Sequence, residues 1–307
     1  GADAVCRFEA TKDQFRKGVQ TVEVLSPLRH GENIAVQGED IPLGSVVLRP
    51  GQRVGAAESA VLATFGKAEV RVHRKPVVGI VASGSELVSL GEKLSPGKIH
   101  DSNSFMLAAL VREAGGVPKW ISPVDDEVDS IAAAVEAVLP EVDLLVTTGG
   151  VSVGDYDVMG AVYEKLGAST VFWRVLMRPG SPLRFAVKDG TPCFGLSGNV
   201  AACFVNAQLF VLPAIRRMAG EPQAELPAAQ ATLVNGLELK PIKPTRFLRA
   251  TAYVERGELK VAAAQGQSSG MLGSFVGSNC LIRLNGGETM RANGKAEVLI
   301  YDQIQFR

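Results

Sequence analysis

The sequence predicts a multidomain α/β protein. At its centre we expect a three-layer α/β/α domain with a mostly parallel sheet, preceded by small β and mixed α/β segments and followed by a C-terminal β-barrel-like domain. Between residues 76 and 221, short apolar runs alternate with helical patterns of about 10–15 residues, which is typical of βαβ units. After Pro222 the helical patterns stop, and short strand-like runs with glycine turns indicate a small all-β domain.

The chain divides into four predicted segments. The first carries the strand-like runs Thr21–Leu25 and Asn33–Val36, and because the chain starts without Met inside such a region, we expect an upstream part to be missing. The segments are a remnant of a β-rich domain (1–37), a linking α/β segment of the N-terminal domain (38–75), the α/β/α domain (76–221) and the β-barrel domain (222–307).

The elements follow from local patterns. In the linking segment we predict a strand within residues 38–48, a helix over Ala56–Phe65 that ends at Gly66, and a strand over Glu69–His73. The strands of the central domain are Val77–Ala82, Val117–Ser122, Val142–Thr148, Thr170–Met177, Leu183–Val187 and Cys193–Leu196, and its helices are Phe105–Glu113, Val128–Leu139, Val158–Leu166 and Asn199–Ala219. The barrel strands are Ala231–Val234, Arg246–Val254, Leu259–Ala263, Cys280–Leu284 and Glu297–Gln305.

Charge and composition narrow the function classes. The 307 residues include 32 basic and 32 acidic side chains, so the balance indicates neither nucleic acid nor a membrane as partner. No apolar run approaches the roughly 18 residues of a membrane span, and no secretory signal is visible. The four cysteines form no C-x-x-C pair and the three histidines are dispersed, so we expect no zinc site but reduced, mostly buried thiols in a cytoplasmic protein.

The most informative stretch is Val142–Asp157, in which an apolar strand leads into Gly149-Gly-Val-Ser-Val-Gly-Asp-Tyr-Asp157 and then into a helical pattern. Backbone N–H groups of a glycine-rich loop at a helix start bind anions. The adjacent carboxylates would repel an anion unless a cation lay between them, so we expect a phosphate-bearing ligand with Mg²⁺. An ordinary glycine-rich turn is the alternative for this loop alone.

Two further strand ends lead through glycine into polar loops, at Ala82–Glu86 and Phe194–Asn199. In an open α/β sheet, ligands bind beyond the carboxyl ends of the strands. If these strands and Val142–Thr148 are neighbours, the three loops line one crevice. We therefore predict a small-molecule site there.

Four acidic residues are candidates for this site. Asp155 and Asp157 are the predicted Mg²⁺ ligands, although carboxylates at a helix start also suit the helix dipole. Asp101 is equally consistent with a helix N-cap, and Glu86 with a solvent-exposed carboxylate.

Arginines supply candidate anion-binding groups. Arg178 and Arg184 flank the turn Pro179–Pro182, and their planar donor forks suit phosphate or an oxyanion such as molybdate. Arg246 could reach an anion from another domain, while Arg249 three residues on need not share its face. For each, a solvated surface arginine is the alternative. The sequence has no G-x-x-x-x-G-K-[ST] loop and no G-x-G-x-x-G opening a helix.

Several motifs together resemble those of the molybdopterin molybdenumtransferases, the MoeA and gephyrin E-domain family. They occur in the family's order and cover essentially the whole chain, and the combination with the following β domain is specific. The motifs are Gly1–Val5, Gly38–Ile41, His100–Asn103, Gly149–Asp157, Pro179–Pro182, Gly195–Asn199 and Gly266–Leu272.

The resemblance implies an elongated multidomain enzyme, usually a homodimer, with a molybdopterin-binding α/β/α domain and a C-terminal β-barrel. Its reaction takes adenylylated molybdopterin and molybdate, cleaves the phosphoanhydride with Mg²⁺, releases AMP and inserts molybdenum at the dithiolene. An upstream adenylyltransferase is the implied partner.

On this resemblance, Asp155 and Asp157 would bind Mg²⁺, and Glu86 and Asp101 would support the site across the crevice. Arg178 would hold molybdate. The residues that would bind the pterin, phosphates and oxyanion are Gly149, Gly150, Ser152, Gly154, Arg178, Ser181, Ser197, Gly198, Asn199 and Arg246.

The chain departs from the family pattern at three positions. Ser85 stands where the family usually has a carboxylate, Ser181 stands where it often has a lysine, and Val200 replaces the proline of a Gly-Asn-Pro turn. These changes leave open a catalytically degenerate scaffold that binds molybdopterin. A molybdopterin adenylyltransferase that uses the same α/β domain is a further alternative, as is a nucleotide-processing protein that shares only that domain.

Overall fold

The structure is a computed structural model that describes residues 1–16, 18–151, 157–236 and 239–307. The chain forms two compact units, residues 1–67 and residues 68–307.

The first unit has little regular structure. It contains an antiparallel hairpin of β1 (Thr11–Arg16) and β2 (Val19–Val24) and one helix, α1 (Ala56–Thr64). Glu58 accepts a hydrogen bond from the Gly55 N–H at 2.9 Å and so caps the helix start. None of the residues in this unit whose burial is described is buried.

Three predicted strands in the first 75 residues were wrong. Residues 33–36, 38–48 and 69–73 form turns or extended chain outside any sheet. Turns at Gly31, Gly38 and Gly44, all with positive φ, interrupt the first two runs. Strand-like alternation does not make a strand without a partner strand to complete its hydrogen bonds.

The second unit begins with a six-stranded mixed sheet in the order β6-β3-β7-β11-β10-β8. The strands β6, β3, β7 and β11 run parallel, and β10 runs antiparallel to both of its neighbours, β11 and β8. Their bounds are β3 Val77–Ser83, β6 Val117–Val124, β7 Leu144–Thr148, β8 Ser169–Trp173, β10 Leu183–Lys188 and β11 Thr191–Leu196, and a short parallel pair, β4 Leu87–Val88 and β5 Ile99–His100, lies outside this sheet.

Helices cover both faces of the sheet, so the predicted three-layer α/β/α domain is confirmed. One face packs on α2 (Asn103–Glu113), α5 (Val200–Asn206) and α6 (Leu212–Met218). The other packs on α3 (Val128–Val138) and α4 (Val158–Lys165). Because β3 and β7 are buried on both sides, their sequences are nearly continuous apolar runs.

The predicted helix over 199–219 is an α–π–α helix. Its central turn, Ala207–Val211, is a π segment between α5 and α6. Contrary to the expectation from the sequence, the stretch Val200–Met218 has the length and mean apolarity of a membrane span, but 61% of that window is buried inside the fold. The helix is therefore explained as a core helix of the α/β/α domain.

The C-terminal region is a closed five-stranded barrel, as predicted. The strand order β14-β12-β16-β15-β13 closes through a β13–β14 pairing. The bounds are β12 Ala228–Leu233, β13 Thr245–Glu255, β14 Glu258–Ala263, β15 Cys280–Leu284 and β16 Lys295–Ile300, with β17 Gln305–Phe306 added beside β13.

The predicted strand over 170–177 is divided between the two domains. Its first part is β8 in the α/β sheet, and its last residue begins β9 (Met177–Arg178), which pairs in parallel with β13 of the barrel. Arg174 between them has a φ of 77°, a left-handed conformation that turns the chain from one sheet to the other.

Candidate active site

The three strand ends identified from the sequence lie next to one another. Strands β3, β7 and β11 are consecutive in the sheet and parallel, so their carboxyl ends share one edge. The Gly149 N–H donates to the Leu196 carbonyl at 3.1 Å, and a Cβ on Gly149 would lie only 2.0 Å from the Ser83 carbonyl oxygen. Only glycine fits at this approach, which brings the three loops together.

A buried amide fixes this edge from the helix side. The Asn103 Nδ2 donates to the Thr148 Oγ1 at 2.9 Å and to the Gly198 carbonyl at 2.8 Å. The Thr148 hydroxyl in turn donates to the Ser197 carbonyl at 3.3 Å. Helix α2 thereby holds the β7 and β11 loops in one arrangement.

These loops border a cavity of about 60 Å³. Asp101 lies on its wall and is 2% exposed. The Asp101 Oδ1 accepts the Ser104 N–H at 3.0 Å, while its Oδ2 is buried with no hydrogen-bond partner among the described residues. Asp101 thus caps the start of α2 and also leaves one acceptor oxygen free. Glu86 lines the same cavity.

The glycine-rich loop is described only at its two ends. Ser152, Gly154 and Asp155 lie outside the described residues, so their predicted roles stay predictions. Gly149 and Gly150 both have positive φ, of 99° and 63°, which explains the Gly-Gly pair at this position.

Asp157, the second predicted Mg²⁺ ligand, has both carboxylate oxygens engaged. Its Oδ1 accepts the Gly160 N–H at 3.2 Å as the N-cap of α4. Its Oδ2 pairs with the Arg184 Nη2 at 2.5 Å, and both side chains are nearly buried, with exposures of 11% and 12%. Arg184, which the sequence suggested as an anion ligand, is thus already paired with a carboxylate.

The β11 loop is ordered by its own side chains. The Asn199 Oδ1 accepts the Ala201 N–H at 3.2 Å and caps α5, and the Ser197 Oγ accepts the Asn199 N–H at 3.2 Å. Helix α5 therefore begins at Val200 without the proline that the family pattern has there.

The turn Arg178–Pro182 packs on the core helix. A Cβ on Gly180 would lie 2.3 Å from the Asn206 Oδ1, and the Asn206 Nδ2 approaches the Pro182 carbonyl at 3.4 Å. Asn206 is fully buried in an otherwise apolar helix. Asn206 therefore fixes the position of the turn that carries Arg178 and Ser181.

The predicted anion-binding arginines come together at the junction with the barrel. The β9–β13 pairing places Arg178 directly opposite Arg246. The Arg246 Nη2 donates to the Lys240 carbonyl at 2.5 Å, while its Nη1 is buried and unpaired within the described part of the chain. Two cations side by side, one with a spare donor, suit an oxyanion.

Sequence reasoning underrated Arg249, which is 1% exposed and lies on the outer face of β13, beneath the loop of residues 264–278. Its guanidinium donates to the Ser274 Oγ and to the carbonyls of Gly266 and Ser268 at 2.7–3.0 Å, and lies 4.8 Å from the Phe275 ring centroid. Its oxygen partners are all neutral, and burial lowers the pKa of this guanidinium. No sequence signal distinguished Arg249 from its neighbour Arg246.

Asn103 and Asn206 were also given no site role from sequence. An amide in an apolar helix was the available signal at Asn206, but its partner is a turn more than twenty residues away. Near the same network, burial raises the pKa of the Cys203 thiol to about 12, so this thiol is protonated at neutral pH.

Comparison with known families divides the chain into three matching regions. A family described as the MoeA N-terminal region (domain I and II) matches residues 1–66. A family described as a probable molybdopterin binding domain matches residues 79–217, and the MoeA C-terminal region (domain IV) matches residues 235–301.

Curated relatives match along nearly the whole chain. The molybdopterin molybdenumtransferase of Bacillus subtilis is 41% identical over 295 residues, which is 96% of this chain and 68% of the relative. The enzyme of the same name from Staphylococcus epidermidis is 36% identical over all 307 residues, covering 72% of the relative.

Solved structures agree with these relatives. A molybdopterin biosynthesis MoeA protein from Pyrococcus horikosii superposes with a TM-score of 0.79 at 26% identity, covering 98% of this chain and 72% of that chain. Fold, matched regions and relatives agree, and the chain belongs to the molybdopterin molybdenumtransferase (MoeA) family.

Proposed function

We propose that this protein is a molybdopterin molybdenumtransferase that acts in molybdenum cofactor biosynthesis. Its substrates would be adenylylated molybdopterin and molybdate, and AMP would be released as molybdenum enters the dithiolene. The observation that carries the proposal is the edge formed by β3, β7 and β11, where glycine loops, a buried amide and an unpaired carboxylate oxygen meet at one cavity.

The glycine loops are the proposed phosphate-binding groups. Within the described part of the chain, the N–H groups of Gly150 and Gly198 donate no hydrogen bond. These N–H groups lie at the carboxyl ends of β7 and β11, where free backbone donors in a glycine-rich loop suit a phosphate. The cavity takes one functional group, and the rest of the ligand would lie over the loops, where Ser197 and Asn199 are placed.

A divalent cation suits the acidic residues at this edge. The Asp101 Oδ2 is a buried carboxylate oxygen without a partner among the described residues, and Asp157 adds a nearly buried carboxylate. The part of the chain described here has no cluster of three or more acidic, histidine or cysteine side chains. Protein sites usually bind Mg²⁺ through one or two carboxylates together with substrate phosphates, so the phosphates of the substrate would have to complete the coordination.

We assign Mg²⁺ to Asp157 and to Asp155, with Asp101 and Glu86, which line the cavity, as supporting carboxylates. When bound, the ion would neutralise charge that develops on the phosphates as the phosphoanhydride breaks. The protein's own part is to hold the phosphates on loop N–H groups and to keep the carboxylates in place through helix caps.

We assign the binding of molybdate to the arginines at the junction of the α/β domain with the barrel. Arg178 and Arg246 lie opposite each other, and the turn residue Ser181 adds a hydroxyl. Together these donors would hold molybdate near the pterin dithiolene, with Ser181 in place of the lysine that the family often has. Arg178 carries this role because it stands on the turn supported by Asn206.

Assembly and location follow from the family as expectations. We expect a homodimer in the cytoplasm that receives its nucleotide-bearing substrate from an adenylyltransferase. A catalytically degenerate scaffold is the weaker alternative. Asn199 still caps the start of α5 although Val200 replaces the proline, so this departure from the family pattern leaves the β11 loop intact.

The test is AMP release from adenylylated molybdopterin with Mg²⁺, with and without molybdate, in this chain and in one extended to the length of its relatives. We expect molybdate to stimulate release, and Arg178→Ala to raise the molybdate concentration required. Asp157→Asn should reduce the release of AMP. The matched control is Asp189→Asn, which changes an exposed surface carboxylate and should leave AMP release unchanged. Tight substrate binding without any release would instead support the scaffold.

A further inference from the structure

Strand β8 ends at the same edge of the sheet as the proposed site. Because β10 runs antiparallel to both β11 and β8, strand β8 runs in the same direction as β11, β7 and β3. Its last residue, Trp173, therefore lies at the edge that carries the glycine loops. Strand β8 is two positions from β11 in the sheet, a separation of about 10 Å.

The side chain of Trp173 is linked to the end of the glycine-rich motif. Arg184 of β10 lies opposite both Gly195 of β11 and Trp173 of β8, so Arg184 and Trp173 point to one face of the sheet. The Arg184 guanidinium pairs with Asp157, and its carbon lies 5.2 Å from the Trp173 ring centroid. One arginine thus separates the indole from the last residue of the motif.

The next residue along the chain, Arg174, stacks on this indole. Its guanidinium carbon lies 4.1 Å from the Trp173 ring centroid, within the range of a cation–π contact. Arg174 is exposed, and Trp173 retains 38% exposure. Two planar groups therefore form an exposed stacked pair at the edge of the proposed site.

The backbone of Arg174 indicates that its side chain has a use of its own. With a φ of 77°, Arg174 adopts a left-handed conformation that is strained for a residue with a Cβ and relaxed for glycine. Glycine would therefore make the same turn at lower cost. Strain that is kept at one position next to a ligand site is a sign of function.

We propose that Trp173 and Arg174 bind the adenine base of a nucleotide whose phosphate lies on the glycine loops. Planar bases stack on aromatic rings and on guanidinium planes, and the ribose would bridge the distance from β11 to β8. The charge of Arg174 also attracts the phosphate. This inference rests on the proposed function, in which the substrate carries an adenylyl group, and it names the part of the substrate that β8 binds.

The test is the binding of AMP in the absence of molybdate and molybdopterin, followed by the fluorescence of Trp173. Trp120→Phe serves as the background, since the chain has only two tryptophans. AMP should change the emission of Trp173, and Arg174→Gly should weaken AMP binding about tenfold because a stacking partner is lost. Ribose 5-phosphate, which lacks the base, should displace AMP only at about tenfold higher concentration than unlabelled AMP itself.

The matched control is Arg256→Gly in the turn between β13 and β14 of the barrel. Arg256 is also a left-handed arginine, with a φ of 52°, so the same change is made in the same type of backbone. Arg256→Gly should leave AMP affinity unchanged. Arg174→Asn gives a second variant with a side chain that tolerates this conformation, and it should weaken AMP binding as Arg174→Gly does.

Two results would overturn the base-binding role of Trp173 and Arg174. One is equal AMP affinity in Arg174→Gly, Arg174→Asn and Arg256→Gly, including no binding by any of them. The other is displacement of AMP by ribose 5-phosphate as effectively as by AMP, since the phosphate alone would then be recognised. Because no turnover is measured, a failed AMP-release assay would leave the binding result standing, and the loss of this base site would leave the proposed reaction standing.

Discussion

The cavity edge and the arginine-rich side of the same unit hold their functional groups by different forces. At the edge, Asn103, Thr148 and the glycines are fixed by neutral hydrogen bonds and by close backbone approach. On the arginine side, Arg184 is balanced by one carboxylate, while Arg246 keeps a buried donor unpaired among the described residues. The edge is therefore held together by neutral groups, whereas the arginine side depends on charged ones.

The largest expected loss of stability comes from disrupting the close approach of Gly149 to the Ser83 carbonyl. Gly149→Ala should destabilise the protein by more than about 4 kcal/mol, because the new Cβ would meet the Ser83 carbonyl at 2.0 Å in a backbone with φ of 99°. Gly190→Ala is the control: its φ is +85° and nothing lies within 4 Å, so backbone strain alone should cost about 1 kcal/mol. Urea denaturation measures both, and similar losses would show that the close approach is not tight.

The buried arginine of the barrel comes next. Arg249→Met should cost roughly 2–4 kcal/mol, because the Gly266 and Ser268 carbonyls and the Ser274 hydroxyl lose their donor. Arg283→Met breaks a part-exposed pair and should cost less than about 1 kcal/mol. Thermal unfolding gives the difference, and hydrogen exchange should become faster in residues 264–278 of the Arg249 variant only. Unchanged exchange there would remove the organising role from Arg249.

A third change tests the amide that joins the loops. Asn103→Ala should cost about 2 kcal/mol, since two hydrogen bonds are lost and Thr148 and Gly198 are left without this donor. Asn199→Ala removes one cap hydrogen bond and should cost about 1 kcal/mol. Chemical denaturation of both variants ranks them, and the reverse order would mean that the β11 loop is held mainly by its own cap.

The smallest effect is expected at the opposite end of β7, away from the cavity. The Arg74 guanidinium, and then the Val77 N–H, hold the pKa of Asp143 below its usual range. A depressed carboxyl pKa contributes stability above about pH 4 that is lost as the pH falls through the folded-state value. Arg74 is largely exposed, so Asp143→Asn should reduce this acid sensitivity by less than about 1 kcal/mol. Acid titration at fixed urea measures it, and an unchanged profile would contradict the pairing.

The same contrast explains what the sequence could predict. The cavity edge was predictable because glycine pairs, apolar strands and helix caps are local patterns, and β3, β7 and β11 proved to be neighbours as the site hypothesis required. The partners of the charged groups were not predictable, because Arg184 meets Asp157 and Asn206 meets Gly180 only through tertiary packing. The strands predicted within residues 33–48 failed for a related reason, since alternation alone does not supply a partner strand.

The most direct test of the central claim is calorimetric titration of adenylylated molybdopterin into the protein and into Asp101→Asn. Asparagine keeps the shape and the acceptor for the Ser104 N–H, but removes the charge from the unpaired oxygen at the cavity. With Mg²⁺ present, we predict about tenfold weaker binding by Asp101→Asn and no change in Asp189→Asn. Equal affinity in all three proteins would contradict the assignment of this cavity as the substrate site.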